Sequence, residues 1–435
     1  MVTPFFVPQF KNEKNMKNNL LRTLFAGAFL CVLAPLTASA DVAINETNFP
    51  DENFRNWLLS QPYGQDGIIT DEEIVGITSM DVSYQNISSL QGIEYFTALT
   101  ALNCNFNQLT LLDVSGCTAL TTLYCDRNQL TSLDVSKNTA LSVLMCVYNQ
   151  LTSLDVSQNT ALTALYCPSN QLTSLDVSGC TALTALYCTS NQLTSLDVSG
   201  CTALIWLQCE SNQLNSLDVS QNTALTGLYC TSNQLNSLDV SQNTALTVLY
   251  CPSNQLTSLD VSGCTALTYL SCYSNQLTSL DVSKNTTLTE LDCHSNQLTS
   301  LDVSKNTALT RLDCYSNQLK SIAMDAFIES LPINTSSTEY ELYIYKEDDS
   351  NDSNVCTRSQ VAAIKEKGWK PLYHSADMGW IWQEYEGSDD ESTNIKSAIR
   401  QGAQQGDAVY NLNGQRVEQP RRGLYIKNGH KVVIK

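Results

Sequence analysis

Between residues 99 and 322, apolar and polar positions follow a pattern that returns every 21 residues. In one copy the apolar positions form two strand-spaced pairs, Leu123 with Cys125 and Leu133 with Val135, and a polar turn follows each pair. A unit this short cannot bury its own apolar side and has to stack on its neighbours. The pattern therefore predicts a repeat solenoid whose coils each contain two extended segments and two turns.

An asparagine stands three residues after the cysteine in each of eleven copies. The eleven are Asn107, Asn128, Asn149, Asn170, Asn191, Asn212, Asn233, Asn254, Asn275, Asn296 and Asn317. A buried asparagine at this position can bond the backbone of the turn with its side-chain amide. Stacked copies should then form a ladder that satisfies these polar groups.

The cysteines follow the same period. Eleven occupy an inward leucine position, and four more replace the asparagine of the second half of a copy. The two columns are Cys104, Cys125, Cys146, Cys167, Cys188, Cys209, Cys230, Cys251, Cys272, Cys293 and Cys314, and then Cys117, Cys180, Cys201 and Cys264. A cysteine at a leucine position behaves as a small apolar core residue, and in-register strands rarely offer the dihedral angle of about 90° that a disulfide needs. We therefore expect buried free thiols.

The unit, with cysteine at the third leucine of L-x-x-L-x-L-x-x-N-x-L, resembles a leucine-rich repeat. Its 21-residue length, its nested second half L-x-x-L-D-V-S-x-N and its cysteine column are similar to internalin J-like repeats and to the bacterial class called IRREKO. The resemblance implies a leucine-rich-repeat solenoid, rich in β-structure with a parallel sheet, and small α/β caps at both ends. It also implies a role in binding another macromolecule.

Residues 1–40 have the pattern of a leader with a signal peptide. Lys17 and Arg22 precede an apolar run over residues 24–33, and small residues at 38–40 suit a cleavage site. No other stretch approaches the roughly 20 apolar residues that a membrane span needs. The sequence thus predicts an exported protein without an integral membrane span. It would be secreted or held at the cell surface, for example at the outer surface of a Gram-negative bacterium.

Residues 41–98 predict an N-terminal cap. A helix should begin at Pro50, because Phe54 and Trp57 have helical spacing. Residues 65–73 then resemble the second half of a calcium-binding EF-hand loop, but the first two ligand positions offer no side-chain oxygen. We expect a degenerate loop kept for its shape, with calcium binding as the alternative.

The chain changes character after the repeats. The pattern over residues 323–386 predicts a C-terminal cap of two enlarged repeat units that ends in an aromatic strand at 380–385. Residues 387–407 are predicted to form a polar linker. Residues 408–435 carry two hairpin signals, each centred on Asn-Gly. This tail resembles the C-terminal sorting domains of the type IX secretion system in Bacteroidetes, which implies sorting or surface attachment. A simple surface hairpin unit is the alternative.

The chain carries 43 acidic residues against 24 basic ones, a formal net charge of −19. Such an acidic body repels phosphate backbones, which argues against nucleic acid as a partner. Ten carboxylates form a column, namely Asp113, Asp134, Asp155, Asp176, Asp197, Asp218, Asp239, Asp260, Asp281 and Asp302. We expect neighbouring hydroxyls or backbone amides to bond them; calcium along the column is the alternative.

The sequence shows no catalytic motif. The only histidines are His294, His374 and His430, and G-x-S-x-G, H-E-x-x-H and phosphate-binding glycine loops are missing. Zinc is not expected either, because there is no C-x-x-C. We predict that the protein is not an enzyme and uses no cofactor or metal.

Aromatic residues recur on the outward side of the first extended segment or directly after it. They are Tyr124, Tyr166, Tyr187, Tyr229, Tyr250, Trp206, Tyr273 and Tyr315. Exposed aromatic columns can anchor a protein or stack on sugar rings, although tyrosine is also favoured on strands for packing alone. We expect a protein partner at the concave strand face, in adhesion or in interaction with a host or another cell. A glycan partner and a passive structural spacer are the alternatives.

Overall fold

A computed structural model describes residues 41–389, except 338, 348 and 375–380, and four strand segments between residues 409 and 434. The predicted leader at 1–40 lies outside the described residues, as do most of the predicted linker and the two Asn-Gly turns of the tail.

Each coil contributes one short strand to a long parallel sheet, which has 15 strands within the described residues. In chain order these strands are β3 (Ser79–Asp81), β4 (Ala101–Asn103), β5 (Thr122–Tyr124), β6 (Val143–Met145), β8 (Ala164–Tyr166), β10 (Ala185–Tyr187), β11 (Trp206–Gln208), β12 (Gly227–Tyr229), β13 (Val248–Tyr250), β14 (Tyr269–Ser271), β15 (Glu290–Asp292), β16 (Arg311–Asp313), β17 (Tyr340–Lys346), β18 (Trp369–His374) and β19 (Gln383–Glu384). Only β19 runs antiparallel to its neighbour. The predicted parallel solenoid is confirmed.

The register of the repeat strands is constant. Leu186 of β10 lies opposite Leu165 of β8 and Leu207 of β11. All six leucine, cysteine and valine positions of the copy that opens at Leu120 are buried, as the pattern predicts, and they join those of the neighbouring coils in one hydrophobic core. The residues on either side of the central leucine therefore lie on the opposite, outward side of each strand.

The second extended segment of each coil pairs less regularly than the first. Within the described residues it forms regular strands only at β7 (Ser153–Asp155) and β9 (Ser174–Asp176), with one further bridge between Asp113 and Asp134. The turn that follows begins at the aspartate itself, because Asp197 Oδ1, for example, accepts the Ser199 N–H at 2.9 Å.

The same hydrogen bond recurs in all ten coils of the aspartate column. The expectation that hydroxyls and backbone amides bond these carboxylates is confirmed. Hydrogen bonds from the side chain and backbone of Ser199 hold the pKa of Asp197 below its usual value.

The predicted asparagine ladder is also confirmed. Asn191 Nδ2 donates to the carbonyl of Cys188 in its own coil at 3.0 Å and to that of Cys167 in the preceding coil at 3.1 Å. Asn191 Oδ1 accepts the Leu172 N–H of the preceding coil at 3.0 Å. Each asparagine thus closes its own turn and fastens it to the neighbouring coil.

The cysteines are buried free thiols, as expected, and this holds for all sixteen in the described residues. Thiols of the first column donate to carbonyls of the next coil, for example from Cys104 Sγ to Tyr124 O at 3.3 Å. Burial raises the pKa of the Cys251 thiol to about 12. Such thiols stay protonated and unreactive at neutral pH.

The second half of the coils carries a mixed column of asparagines and cysteines. Asn159 Nδ2 donates to the carbonyls of Val135 at 3.0 Å and Asn138 at 2.9 Å, and Cys180 Sγ donates in the same way to Val156 O at 3.4 Å. The Oδ1 atoms of the six asparagines in this column are buried without a hydrogen-bond partner. These positions therefore require a donor and have no use for an acceptor.

Asn159→Cys is expected to change the free energy of unfolding by no more than about 1 kcal/mol, because a thiol keeps the donor. Asn159→Asp should lower it by about 3 to 5 kcal/mol, because an uncompensated carboxylate would face two buried carbonyls. Urea denaturation at pH 7 measures both. Equal stability of the two variants would contradict the requirement for a donor.

The N-terminal segment packs two helices and a small sheet before the first coil. Strands β1 (Val42–Ala43) and β2 (Ile68–Ile69) pair, and helix α1 spans Glu52–Ser60 and α2 Asp71–Gly76. The helix predicted from Pro50 begins two residues later, because Asp51 accepts the Phe54 N–H and caps it.

The EF-like loop ends in a helix cap. Glu73 Oε2 accepts the Thr70 N–H at 2.9 Å, and Thr70 Oγ1 accepts the Glu73 N–H at 3.3 Å. Two oxygen-bearing residues of the loop, Thr70 and Glu73, are thus engaged with each other at the start of α2.

At the other end, helices α3 (Ile322–Ser330) and α4 (Arg358–Glu366) alternate with β17 and β18, so two larger units continue the sheet. The strand predicted at residues 380–385 is shorter, Gln383–Glu384, and residue 380 lies outside the described residues. In the tail, β20 (Val409–Tyr410) pairs with β21 (Arg416–Val417) and β22 (Gly423–Lys427) with β23 (His430–Ile434), which confirms both hairpins. None of the helices in the described residues has the length and apolarity to cross a membrane.

Candidate binding surface

The outward face, defined here as the side chains that flank the central leucine of each strand in the long sheet, carries most of the predicted aromatic residues. Tyr166 and Tyr187 lie in register on β8 and β10, and their rings stack with centroids 4.6 Å apart. Because the repeat keeps this register, any two residues 21 apart on the outward face are neighbours.

A second group of rings forms a continuous run, which we call the aromatic track. It consists of Trp206, Tyr229, Tyr250, Tyr273, His294 and Tyr315. Centroid separations are 6.1 to 6.3 Å from Trp206 to Tyr273 and 4.2 to 4.4 Å where His294 stacks between two tyrosines. Tyr315 then contacts Trp382 of the last unit at 5.0 Å. The track crosses from the strands to the turns that follow them.

The structure thus brings seven of the eight predicted residues into two runs. Tyr124 lies apart from them, because Met145 stands between it and Tyr166 in the register. All eight side chains are half-buried. Burial raises the pKa of Tyr166, Tyr187 and Tyr229, so their hydroxyls stay protonated and able to donate at neutral pH.

A third aromatic group was not predicted from the sequence. We call it the rim stack; it consists of Tyr84, Phe106, Arg127 and Tyr148, each two residues after the cysteine or its equivalent. The rings of Tyr84 and Phe106 stack at 4.2 Å, and the Arg127 guanidinium lies 5.1 Å from the Phe106 ring and 4.2 Å from the Tyr148 ring. Tyr84 is 64% exposed and Tyr148 40%. Four consecutive coils thus share one exposed stack.

The backbone makes this stack unusual. All four residues have φ between 53° and 58°, the left-handed region that large side chains rarely adopt. The following eight coils place serine at the same position, namely Ser169, Ser190, Ser211, Ser232, Ser253, Ser274, Ser295 and Ser316. The signal was present in the sequence as a column that changes from large residues to serine. It was missed because Tyr84 and Phe106 lie in or beside the irregular first copies.

Acidic residues replace tyrosine near the C-terminal end of the outward face. Asp292 and Asp313 lie in register on β15 and β16, and with Tyr269, Glu290, Leu291 and Arg311 they line a cavity of about 120 Å³, called here the acidic pocket. Burial raises the pKa of Asp313 to about 6 and that of Asp292 well above its usual value. Burial and the nearby Lys346 lower the pKa of His294 to about 3, so this ring is neutral.

The described part of the chain contains no group of three or more His, Cys, Asp or Glu side chains that could hold a metal ion. The outward face offers ring edges, hydroxyls and carboxylates, spread over many coils. This arrangement is suited to contact with another macromolecule over a broad surface.

Comparison with known sequences identifies the repeat. Residues 244–285 and 286–329 match the family described as leucine-rich repeats, two copies. Over 68 residues the chain is 45% identical to internalin J from Listeria monocytogenes serotype 4b, strain F2365. That stretch is 15% of this chain and 7% of internalin J, so the chain matches a small part of that protein's length.

Solved structures extend the similarity to most of the chain. The functional domain of InlJ from Listeria monocytogenes, described as including a cysteine ladder, is 32% identical with a TM-score of 0.53, covering 77% of this chain and 82% of that one. The internalin InlF from the same species has a TM-score of 0.63 at 24% identity, covering 77% and 98%. A leucine-rich-repeat protein of Leptospira interrogans has a TM-score of 0.57 at 23% identity, covering 70% and 79%; these last two show the fold alone. The chain belongs to the leucine-rich-repeat family and is a homologue of internalin J.

Proposed function

We propose that this protein is a secreted or cell-surface leucine-rich-repeat protein that binds a protein partner through its outward face, in adhesion or in interaction with a host or another cell. The observation that supports this most directly is a contrast along the array. The core leucines, cysteines and ladder asparagines recur from coil to coil, whereas the outward residues vary and their aromatic members join into half-exposed runs. In this fold the same face is the concave one that serves as a binding surface.

The packing of the rings favours a protein over a glycan. Stacking on a sugar needs an open ring face, but Tyr166 and Tyr187 cover one another and His294 lies between two tyrosines. What remains accessible on those residues is largely ring edges and hydroxyl groups. Tyrosines presented in this way, with an apolar body and a polar tip, are common anchors in protein interfaces.

The rim stack supports the same conclusion. An exposed aromatic and guanidinium stack in left-handed backbone contributes little to the core, and eight other coils fold with serine at its position. We propose the rim stack as a second contact for the partner.

The proposed location depends on the sequence. The apolar run at residues 24–33 before a small-residue cleavage site supports export, and the tail at 408–435 supports sorting or surface attachment through its resemblance to type IX sorting domains. The absence of a catalytic motif in the sequence and the membership in a repeat family used for binding support a non-catalytic role.

The test is a pull-down from surface extracts of candidate host or neighbouring cells, with the full chain as bait. The triple variant Tyr166→Ala, Tyr187→Ala and Tyr229→Ala is expected to lose about tenfold or more of the captured partner, because clustered tyrosines carry a large share of binding energy in such interfaces. Glycan arrays run in parallel detect the alternative class of ligand.

The matched control is Ser174→Ala, Ser195→Ala and Ser237→Ala, which changes exposed residues in the same three coils on the other side of each coil. A further triple, Tyr84→Ser, Phe106→Ser and Tyr148→Ser, reports on the rim stack with the residue that other coils already carry. If neither the tyrosine triple nor the rim-stack triple reduced the amount of captured partner, binding through these surfaces would be contradicted and a passive spacer would be favoured. If the aromatic variants lost binding only on the glycan array, a sugar ligand would be favoured.

A further inference from the structure

We propose that the acidic pocket between β15 and β16 is a binding site for a cationic side chain, a lysine or arginine of the protein partner. This inference rests on the proposed function, since it names one group that the partner brings to the outward face. It concerns residues that the aromatic surfaces do not use.

Asp313 is the strongest indication of a ligand. The residue is 8% exposed and lines the pocket, and its Oδ2 accepts from Arg311 Nη2 at 3.1 Å. Its Oδ1 is buried and has no hydrogen-bond partner. A buried carboxylate oxygen without a donor is costly, so its retention needs an explanation.

Asp292 repeats the arrangement one strand away. Its Oδ2 accepts from Ser271 Oγ at 3.5 Å, and its Oδ1 is likewise buried without a hydrogen-bond partner. His294 Nε2 lies 3.6 Å from that oxygen, and this ring is neutral at physiological pH. Two carboxylates in adjacent strands therefore each have one oxygen that a donor could still satisfy.

The charges around the pocket are unbalanced. Glu290 lines it together with the two aspartates, and Glu341 lies across from Arg311 on β17, with Nη1 and Oε2 3.4 Å apart. Arg311 is the only cation lining the pocket. Four carboxylates face one guanidinium, and a second cation would relieve their mutual repulsion.

The shape and composition of the walls fit an organic cation. A cavity of about 120 Å³ has room for several waters, and hence for the head group of a lysine or arginine side chain. The Tyr269 ring in the wall can favour a cation by a cation–π interaction. Arg311 already binds Asp313 from within the chain and stacks 4.5 Å from Tyr343, which shows the recognition chemistry that this site supports.

A metal ion fits less well. Calcium takes six to eight oxygen ligands, and no metal-binding group of three or more side chains is found in the described residues. The pocket also lies next to the aromatic track, since Tyr269 contacts Tyr250 with centroids 6.1 Å apart. A partner seated on those tyrosines would therefore reach the two carboxylates.

The experiment uses the full chain and small probes that stand for the side chains: butylammonium for lysine, butylguanidinium for arginine and neutral butanol as a control. Binding at pH 8 is followed by saturation-transfer NMR on the probes. Both cations are expected to bind the wild type more tightly than butanol does. The double variant Asp292→Asn and Asp313→Asn should bind them about tenfold more weakly, because each loses a charge-assisted hydrogen bond.

The control is Asp281→Asn with Asp302→Asn, which removes the same charge from the exposed aspartate column of the coil that contains Asp292 and of the coil before it. It should keep affinity within about twofold, because exposed charges that far away are screened. Equal weakening in both doubles would mean general attraction to an acidic surface and would overturn the proposal. The proposal would also be overturned if butanol bound as tightly as the two cations. The same holds if calcium caused NMR shifts of the protein that disappeared only in the Asp292/Asp313 double variant, because the pocket would then be a metal site. The probe-binding experiment and the pull-down are independent, so a negative result with the probes does not contradict the proposed function.

Discussion

Asn191→Ala is expected to lower the free energy of unfolding by about 3 to 5 kcal/mol, although it removes no charge and little apolar area. The reason is that one side chain serves three buried backbone groups. The substitution leaves the Leu172 N–H without its acceptor at 3.0 Å, and the carbonyls of Cys167 and Cys188 without donors at 3.1 and 3.0 Å. Each such loss costs about 1 to 3 kcal/mol when water cannot replace the partner.

Urea denaturation followed by circular dichroism measures the effect. Gln192→Ala is the matched control, because that side chain is exposed and the substitution should change stability by less than about 0.5 kcal/mol. If the two variants proved equally stable, the asparagine ladder would not be what fastens each coil to the next.

Asp313→Asn is expected to stabilise the protein by about 3 kcal/mol at pH 8 and to change nothing at pH 4. Burial raises the pKa of Asp313 from 3.8 to about 6, so the folded state binds the proton more tightly than the unfolded state does. The wild-type carboxyl is therefore most favourable to folding below pH 4, and its ionisation costs stability as the pH rises towards 6. Asparagine keeps the shape and removes the ionisation.

Urea midpoints at pH 4, 6 and 8 follow this difference. Asp302→Asn provides a control of opposite sign, because hydrogen bonds from the backbone and side chain of Ser304 hold the pKa of Asp302 below its usual value. That variant should be less stable than the wild type at neutral pH, and the gap should close as the pH falls below 4. A stabilisation by Asp313→Asn that did not depend on pH would exclude ionisation as its cause.

The fold was accessible from the sequence because the period determines both burial and pairing. Once Leu123 and Cys125 are taken as inward residues, every copy at a spacing of 21 must place the same atoms against the next coil. The asparagine ladder and the serine-capped aspartate column follow from the same reasoning, since each needs only a short-range polar partner. The two hairpins of the tail were likewise indicated by local turn chemistry.

The candidate binding surface could be predicted from the sequence only in part, for a physical reason. The sequence identifies which side chains face outward, but not how deeply they sink or which neighbours they meet across columns. Asp313 occupies the position of Tyr250 and yet is buried against the Arg311 guanidinium. Tyr84 joins Phe106 only because two irregular copies have the same left-handed turn as the regular ones. Depth of this kind depends on side-chain rotamers, which a repeat pattern does not determine.

The constant register gives the array a modular length. If one entire 21-residue unit is gained or lost, each leucine still packs against the equivalent leucine of the adjoining coil, and each asparagine amide still meets a carbonyl there. A shift of a single residue would instead turn the apolar side chains towards solvent. Unequal recombination between such similar copies could therefore lengthen or shorten the protein by about 4.8 Å at a time without designing a new interior. Evolution could thus adjust the reach of the molecule separately from the residues that it displays.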